Sequence, residues 1–417
     1  MRKSLSAPVT GAAEPSGVTA PPVAGKRPRR RLRRALRSSL AALGTVVVLV
    51  FVAGGWYFAG QIRSGALVPD PAAAMPAYND AKVTGVSAGQ VQLRAIGDRT
   101  ALVSHELYGI AWRGGIGRLG ASVTVSGGVV TRPLTVTEGS GPQVGQDVAL
   151  DRAYFLGDPR TALGIPVRDV IVPGPLGPLP SWYIPGRGST FVVAVHGQNG
   201  SRADVLRIID IVHRLGFPAL AVSYRNDLGA YRDPSGYLRY GQSEWRDLQA
   251  AVRWSLSHGA RHVVLVGQSM GGAIVASFLE HSSLAGKVTR VVLDAPMLDF
   301  RAVVGYQAGR RSLPLIGTGV PAPLTWTAEE LAAVRFGVNW SATDYLGNTS
   351  WLKVPALVTH GANDTRVPVS VSARLKELRP SLVTFVRFPG AGHLESWNSD
   401  LPRYTALLES FLAPVAP

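Results

Sequence analysis

Residues 166–417 predict an α/β fold with a mostly parallel sheet, and three observations indicate it. Short, continuously apolar runs such as Thr190–Val195 are typical of strands that are buried on both faces. These runs alternate with segments of helical periodicity, of which Glu244–His258 is the clearest. The full length of 417 residues also leaves room for one such domain together with additional parts.

The elements of this domain follow one another in a regular order. The strands 167–172 and 182–184 are predicted to form a leading antiparallel pair, and the strands that follow are 190–195, 219–222, 262–266, 288–293, 354–359 and 382–388. The predicted helices are 203–215, 244–258, 270–281, 369–378 and 404–412. The segment 298–351 is predicted to be irregular, with two short helical pieces. Because ligands bind at the carboxyl ends of strands in such sheets, functional side chains are expected in the loops that follow the strands.

The residues before this domain divide by composition into four parts. Residues 1–38 are predicted to be a disordered basic tail, residues 39–60 a transmembrane helix, and residues 61–80 an extended stalk. Residues 81–165 alternate short apolar runs with glycines, which predicts strands and hairpins in a small β-rich accessory region. We identify no chemistry in this region from its sequence.

The formal net charge of +16 is concentrated in the tail, where residues 1–37 hold ten Lys or Arg and one acid. A basic flank before an uncharged apolar run, with Trp56-Tyr57 near the far end, predicts a cytoplasmic N-terminus and an extracytoplasmic C-terminal domain. A cleaved signal peptide with a weak site at Ser64-Gly65-Ala66 is the alternative, although the apolar run is longer than usual. The arginines are expected to face anionic headgroups, and we expect no nucleic-acid partner, although the clustered charge alone leaves that alternative open.

The composition excludes several classes of protein. Cysteine is absent, which excludes disulfides, thiol nucleophiles and Cys-ligated zinc but leaves the compartment undecided. Glycine and proline are frequent but show no repeat period, so collagen-like and solenoid architectures are excluded as well.

The stretch Gly267-Gln268-Ser269-Met270-Gly271 lies where a predicted strand meets a predicted helix. The pattern Gly-x-Ser-x-Gly alone is weak evidence in a glycine-rich chain, but this location is the one that a nucleophile elbow requires. A sharp turn there strains the backbone of the serine, so both neighbouring positions must be small, and a further glycine lets helix and strand pack closely. A serine that only caps a helix needs none of these glycines. The sequence therefore predicts Ser269 as a nucleophile.

A serine nucleophile needs a base, and the base needs a third group that orients it. His393 follows the last predicted strand, and Asp364 follows the strand before it. Both loops therefore lie at the same edge of the sheet as Ser269. The order Ser269, Asp364, His393 is the one expected when a nucleophile elbow carries the serine.

Three other residues compete for these roles. Asp294 follows the strand 288–293 and is an alternative acid, and Asp299 is a more distant one. Asp364 is preferred because its loop follows the next strand and reads Gly-Ala-Asn-Asp before a helix. His360 is an alternative base, but it precedes the acid and is interpreted as structural.

A serine hydrolase also needs backbone N–H groups that stabilise the negative oxygen of the tetrahedral intermediate. The N–H of Met270, directly after the nucleophile, is the first predicted donor. The second is expected from the loop after Thr190–Val195, where Gln198 is preferred and Asn199 is the alternative. His196 is expected to brace this loop.

Residues 165–417 resemble the α/β-hydrolase superfamily, close to its serine-peptidase and esterase/lysophospholipase-like branches. The resemblance depends on His196-Gly197, the motif around Ser269, Asp364 and His393. The stretches SYRND (223–227), EWRDLQAAVRW (244–254) and GHLESWN (392–398) also resemble a group of actinobacterial membrane-anchored hydrolases. For this chain the resemblance implies an eight-stranded sheet with a cap inserted after the sixth strand, here residues 297–352. It implies no metal and no organic cofactor.

Together these features predict an enzyme that cleaves an ester, or a thioester or amide, through an acyl-serine intermediate. The membrane position favours a small-molecule or lipid ester as substrate. The alternatives are a serine aminopeptidase or acyl-peptidase-like enzyme, an acyltransferase, and a membrane-anchored binding module without turnover. Aromatic residues and arginines in the loop 226–243 and in the cap indicate either a pocket for an anionic or acyl-chain ligand or ordinary loop and lid packing. The sequence gives no indication of an oligomeric state.

Overall fold

The structure is a computed structural model that describes Gly17, residues 28–313, Gly317 and residues 319–417, with side chains of the first helix described from Arg33 onward. The chain has two compact units, Met1–Val52 and Ala53–Pro417. Helix α1 (Pro28–Ile62) starts in the first unit. The stretch Arg33–Leu67 is long and apolar enough to cross a membrane by length and composition, and an 18-residue window within it has a mean hydropathy of 2.1. Most of the predicted disordered tail, 1–38, lies outside the described residues, although helix α1 already includes its last part.

Residues 61–80 do not form the extended stalk that their composition predicts. After Ile62 the chain continues through a wide helical turn, Arg63–Leu67, and a short turn, Pro71–Ala74. Leu67 is buried in the main hydrophobic core of the second unit. The Pro- and Ala-rich sequence resembles a linker, but burial of its apolar side chains favours a path along the body of the protein.

Residues 81–151 form a sheet of seven strands in which every pairing is antiparallel. The strands are β1 (Ala81–Ser87), β2 (Gln90–Ala95), β3 (Tyr108–Trp112), β4 (Gly115–Leu119), β5 (Thr124–Ser126), β6 (Val129–Gly139) and β7 (Asp147–Asp151). Their spatial order is β2-β1-β7-β3-β4-β6-β5, and a further pairing of β2 with β6 closes six of them into a barrel. Its interior is mainly apolar and includes Leu93, Ile110 and Trp112, together with the fully buried Arg132 of β6. Alternating short strands therefore fold here as a small barrel, with helix α2 (Thr100–Val103) between β2 and β3.

The second sheet has eight strands in the order β15-β14-β13-β12-β10-β11-β9-β8. They are β8 (Arg168–Pro173), β9 (Pro178–Ile184), β10 (Thr190–Val195), β11 (Ala219–Val222), β12 (His262–Gln268), β13 (Val288–Asp294), β14 (Ala356–Gly361) and β15 (Val383–Phe388). Parallel pairings join the last six, whereas β9 pairs antiparallel with β8 and β11. Since alternate side chains point to opposite faces, Val193 and Leu265 enter one apolar cluster, and Val192 and Val264 enter the other.

The helices lie close to the predicted positions. After α3 (Pro159–Leu163) they are α4 (Leu206–Arg214), α5 (Trp245–Ser257), α6 (Met270–His281), α7 (Phe300–Arg310), α8 (Ala322–Phe336), α9 (Val369–Leu378), α10 (Ser396–Ser399) and α11 (Leu401–Leu412). The main difference lies in 298–351, where α7 and α8 are longer than the short pieces expected. Helix α8 has proline in its first turn and ends at Gly337 in the left-handed conformation, and both are common helix boundaries.

Candidate active site

Ser269 lies in the turn between β12 and α6 with φ 51° and ψ −117°. This conformation is unfavourable for a residue with a side chain and costs about 1–3 kcal/mol. Glycine is required at positions 267 and 271 because other backbone atoms approach both positions closely. A Cβ atom on Gly267 would lie 2.6 Å from the carbonyl oxygen of Gly271, and one on Gly271 would collide with the carbonyl oxygen of Val195. The turn thus raises the hydroxyl of Ser269 above the carboxyl edge of the sheet.

The structure brings the three residues predicted for the triad together. His393 lies between β15 and α10, and its Nε2 is 2.9 Å from the hydroxyl oxygen of Ser269. The Nδ1 of His393 is 2.6 Å from Oδ2 of Asp364, in the loop after β14. All three side chains are buried. The loops after three parallel strands therefore place a hydroxyl, an imidazole and a carboxylate in one hydrogen-bonded chain.

The partners of His393 determine where its proton lies. An ionised carboxylate only accepts hydrogen bonds, so Nδ1 carries the proton and donates it to Asp364. Nε2 is then free to accept from the hydroxyl of Ser269. Burial lowers the pKa of His393 from its ordinary value of 6.5, although the neighbouring Asp364 opposes this effect. The neutral imidazole is therefore the form present near pH 7.

Asp364 keeps its negative charge in this buried position. Burial alone would raise its pKa, but hydrogen bonds from His360 and His393 and from the backbone N–H of Val367 lower it well below the ordinary range. His360 Nε2 lies 3.1 Å from the same Oδ2 atom and 3.1 Å from the carbonyl oxygen of Val367. His360, the alternative base, is thus a partner of the acid, and no hydrogen bond joins it to Ser269 among the described residues.

The alternative acids lie elsewhere. Oδ1 of Asp294 accepts a hydrogen bond from Thr359 at 2.9 Å, and its Oδ2 has no partner in the described part of the chain. Burial raises the pKa of Asp294. Asp299 accepts from the backbone N–H of Ala302 and caps helix α7. Neither carboxylate is a hydrogen-bond partner of His393, whereas Asp364 is.

The two predicted oxyanion donors belong to two segments that meet at Ser269. The N–H of Met270 belongs to the first turn of α6, where backbone N–H groups have no acceptor within the helix. The loop after β10 passes close to Ser269, since a Cβ atom on Gly197 would lie 3.1 Å from Cβ of Ser269. Gln198 follows directly. In Asn199, the alternative, the backbone is left-handed with φ 53° and the side chain bonds to Asp70.

A cavity of about 560 Å³ lies over Ser269 and His393. Its walls come from three parts of the chain: residues 73–80, the barrel, including Tyr108 and the chain just after β7, and the loops of the second sheet. The loop 226–243 does not line this cavity, and the insert 297–352 contributes Met297 and Gln307. Sequence reasoning therefore missed the barrel wall, including Arg152, because no local pattern shows which distant segment covers a site.

Sequence comparison supports the class that this geometry indicates. The model of the alpha/beta hydrolase family matches residues 192–406, and the chain belongs to that family. No curated protein matches the chain.

Several solved structures are similar to the chain. An esterase from Pyrococcus furiosus is 19% identical, with a TM-score of 0.49 over 62% of this chain and 96% of its own. An α/β serine hydrolase without lid from Xanthomonas campestris is 17% identical, with a TM-score of 0.41 over 60% of this chain and 95% of its own. An esterase from Exiguobacterium antarcticum is 18% identical, with a TM-score of 0.43 over 59% of this chain and 100% of its own.

Proposed function

We propose that the protein is a membrane-anchored serine hydrolase that cleaves carboxylic esters through an acyl intermediate on Ser269. The observation that carries the proposal is the chain of two short contacts, 2.9 Å from Ser269 to His393 and 2.6 Å from His393 to Asp364. Membership of the alpha/beta hydrolase family supports the same class of reaction. The membrane position favours a small-molecule or lipid ester that is available at a bilayer.

Ser269 attacks the carbonyl carbon of the ester while its proton passes to Nε2 of His393. The imidazolium that forms is stabilised by the ionised Asp364, which remains unprotonated throughout. The tetrahedral intermediate carries a negative oxygen, and the N–H groups of Gln198 and Met270 are proposed to donate to it. Loss of one such donor lowers kcat by about 10²–10³.

The intermediate collapses when the carbon–oxygen bond to the alcohol breaks and His393 returns its proton to the departing oxygen. Ser269 then holds the acyl group. A water molecule gives its proton to His393 as it attacks the acyl carbon, which forms a second tetrahedral intermediate. The bond from the carbon to the oxygen of Ser269 then breaks, His393 returns the proton to that oxygen, and the acid is released.

We further propose that helix α1 spans the membrane with the basic tail in the cytoplasm and the enzyme outside. The uncharged stretch of α1 and the arginines before it support this orientation. The catalytic domain is proposed to comprise residues 166–417, with the insert 297–352 as its cap. Measuring which side of the membrane is accessible to protease in sealed vesicles tests the orientation.

Covalent labelling with a fluorophosphonate tests the reaction class. The full-length protein in detergent is expected to react at one serine, identified by mass spectrometry as Ser269, and Ser269→Ala is expected to remove both labelling and hydrolysis of a chromogenic ester. Ser277→Ala is a matched control in the helix that follows, because the hydroxyl of Ser277 is buried without a hydrogen-bond partner among the described residues. Labelling that survives Ser269→Ala contradicts the proposal.

A further inference from the structure

The segment that leaves helix α1 is bonded to the loop that carries the proposed oxyanion donor. Nε2 of Gln198 donates to the carbonyl oxygens of Gly65 at 3.2 Å and of Ala66 at 3.3 Å. The hydroxyl of Tyr240 donates to the same oxygen of Ala66 at 2.6 Å and lies 3.4 Å from Oε1 of Gln198. A side chain of the loop is therefore held by two consecutive backbone carbonyls of this segment.

The next residue of the loop is held as well. The backbone N–H of Asp70 donates to Oδ1 of Asn199 at 3.0 Å. The segment itself is fixed, because Leu67 is buried in the core and its carbonyl accepts from the N–H of Leu238 at 2.8 Å. The loop 197–199 is thus joined to a packed part of the protein and not to a mobile linker.

We propose that residues 63–70 are a positioning element of the active site, which holds the loop 197–199 so that the N–H of Gln198 points at the developing oxyanion. The proposal rests on the proposed function for the role of that N–H. Functional groups in active sites must be held within about 0.5 Å of the productive geometry, so a loosened loop lowers kcat more than it changes substrate binding. Cleavage at Ser64-Gly65-Ala66 would separate the chain within this element, so the active form is the uncleaved chain.

Point variants of the full-length protein in detergent test this proposal. Tyr240→Phe removes one donor to Ala66, and Gln198→Ala removes the side-chain bonds while keeping the backbone N–H. Both variants are expected to lower kcat about tenfold, with KM and the midpoint of the pH–rate profile unchanged. Gln242→Ala is the matched control, because Gln242 donates to the carbonyl of Arg239 in its own loop at 3.0 Å. An unchanged kcat in both variants overturns the proposal.

Hydrogen exchange separates this proposal from the proposed function, since it needs no turnover. The amides of 197–200 are expected to exchange faster in Tyr240→Phe and Gln198→Ala than in the wild type, and at the wild-type rate in Gln242→Ala. Equal exchange in all four proteins overturns the positioning role, whatever the protein hydrolyses. If the protein has no esterase activity but these variants exchange faster, the positioning role of residues 63–70 is supported and only the proposed function is rejected.

A separate observation concerns two arginines that face the cavity, Arg152 and Arg366. Nη1 of Arg152 lies 3.5 Å from the carbonyl oxygen of His393, and the guanidinium of Arg366 donates no hydrogen bond within the described part of the chain. No described carboxylate forms an ion pair with either side chain. Burial lowers the pKa of Arg366, and the charge of Arg152 lowers it further, as expected for two cations that lie near each other.

The acidic residues of the same cavity are already engaged. Each accepts a hydrogen bond from a backbone N–H group: Asp80, Asp98, Asp151, Asp204 and Glu395. One oxygen atom of each carboxylate is therefore bonded to the backbone, and none of these carboxylates forms an ion pair with either guanidinium among the described residues. A bound anion would relieve the repulsion between Arg152 and Arg366 and would accept their free donors.

We infer that Arg152 and Arg366 bind a negatively charged group of the substrate, a carboxylate or a phosphate, beside Ser269. This inference rests on the proposed function and specifies its substrate class as anionic esters. Guanidinium groups suit both anions because their donors match two oxygen atoms at once.

Kinetics with a pair of esters tests the inference. One ester has an uncharged acyl chain, and the other has a chain of the same length that ends in a carboxylate; a lysophospholipid provides the phosphate arm. Arg152→Ala and Arg366→Ala are expected to raise KM at least tenfold for the charged esters and less than twofold for the neutral ester. Arg214→Ala is the control, because Arg214 forms exposed ion pairs with Asp210 and Glu409. Equal effects on charged and neutral esters overturn the inference, and the two charged esters distinguish carboxylate from phosphate.

Calorimetry with the Ser269→Ala protein tests binding without turnover. The carboxylate ester is expected to bind more tightly than the neutral ester, and Arg366→Ala in the same background is expected to remove the difference. The absence of any difference overturns the inference independently of catalysis.

Discussion

Two of the histidine–aspartate contacts at the carboxyl edge of the second sheet, His196–Asp227 and His393–Asp364, differ in their chemistry. His196 Nε2 lies 2.8 Å from Oδ2 of Asp227, and His393 Nδ1 lies 2.6 Å from Oδ2 of Asp364. The pKa of His196 is raised, whereas that of His393 is lowered. An aspartate next to a buried histidine therefore does not by itself determine the protonation state of the imidazole.

The second nitrogen of each ring accounts for the difference. Nδ1 of His196 faces the carbonyl oxygen of Gly197 at 2.9 Å, so both ring nitrogens face acceptors and only the protonated ring satisfies both. Burial opposes this charge, but Asp227 and its hydrogen bond outweigh burial. Nε2 of His393 faces a hydroxyl, which can donate to it. The first pair holds a loop, and the second is arranged to accept a proton.

Replacement of each histidine by alanine gives the largest expected contrast. His393→Ala removes the proposed base and is expected to lower kcat for a chromogenic ester by about 10⁴- to 10⁶-fold. Its effect on the free energy of unfolding is expected to be smaller than that of His196→Ala, because Asp364 keeps His360 and the N–H of Val367 as partners. His196→Ala leaves the largely covered Asp227, whose side chain is 9% exposed, without its histidine and is expected to lower the free energy of unfolding by about 3 kcal/mol. Ester kinetics and urea unfolding measure both. Activity retained in His393→Ala contradicts the assignment of the base.

The next largest effect is expected when each aspartate is replaced by asparagine. In Asp364→Asn the amide can donate to Nδ1 of His393, which moves the ring proton to Nε2, so kcat is expected to fall by about 10⁴-fold with the fold intact. In Asp227→Asn the loss is expected in stability, because the protonated His196 loses its counter-charge. If Asp227→Asn lowers kcat as much as Asp364→Asn does, the two pairs do not differ in role.

The positions of Ser269, Asp364 and His393 could be predicted because local signals place each one after a strand of the parallel sheet. The strand-to-helix turn with its glycines identifies the serine, and strand order then limits the partners. The opposite pKa directions of His196 and His393 could not be predicted, because they depend on which atom faces the second ring nitrogen.

The course of residues 61–80 and the wall formed by the barrel also escaped prediction. Their composition describes a linker and a separate β-rich region, whereas the structure packs Leu67 into the core and places Arg152 at the cavity. Such placements arise from tertiary packing between segments far apart in sequence. The periodicity of one segment does not predict which distant segments pack against it.

A smaller effect is expected in the pH dependence of hydrolysis, and it concerns the pair His393–Asp364. Because the pKa of His393 is lowered, the neutral base is present down to a pH below 6.5. The rate is therefore expected to rise with pH and to reach half of its maximum below 6.5, as measured by kcat/KM between pH 4 and 9. A midpoint above 6.5 contradicts the neutral, buried environment inferred for this imidazole.

The pH dependence of stability gives the smallest effect and concerns the first pair. The pKa of His196 is raised in the folded protein above its unfolded value of 6.5, so protonation stabilises the fold. This contribution is fully present below pH 6.5 and is lost as the pH rises through the folded pKa. Asp227→Asn removes the main cause of the raised pKa, so the difference in free energy of unfolding between wild type and Asp227→Asn is expected to shrink as pH rises above 6.5. Urea titrations at several pH values measure this difference in free energy of unfolding. A difference that grows with pH would show that the imidazole of His196 is neutral in the folded protein, as that of His393 is.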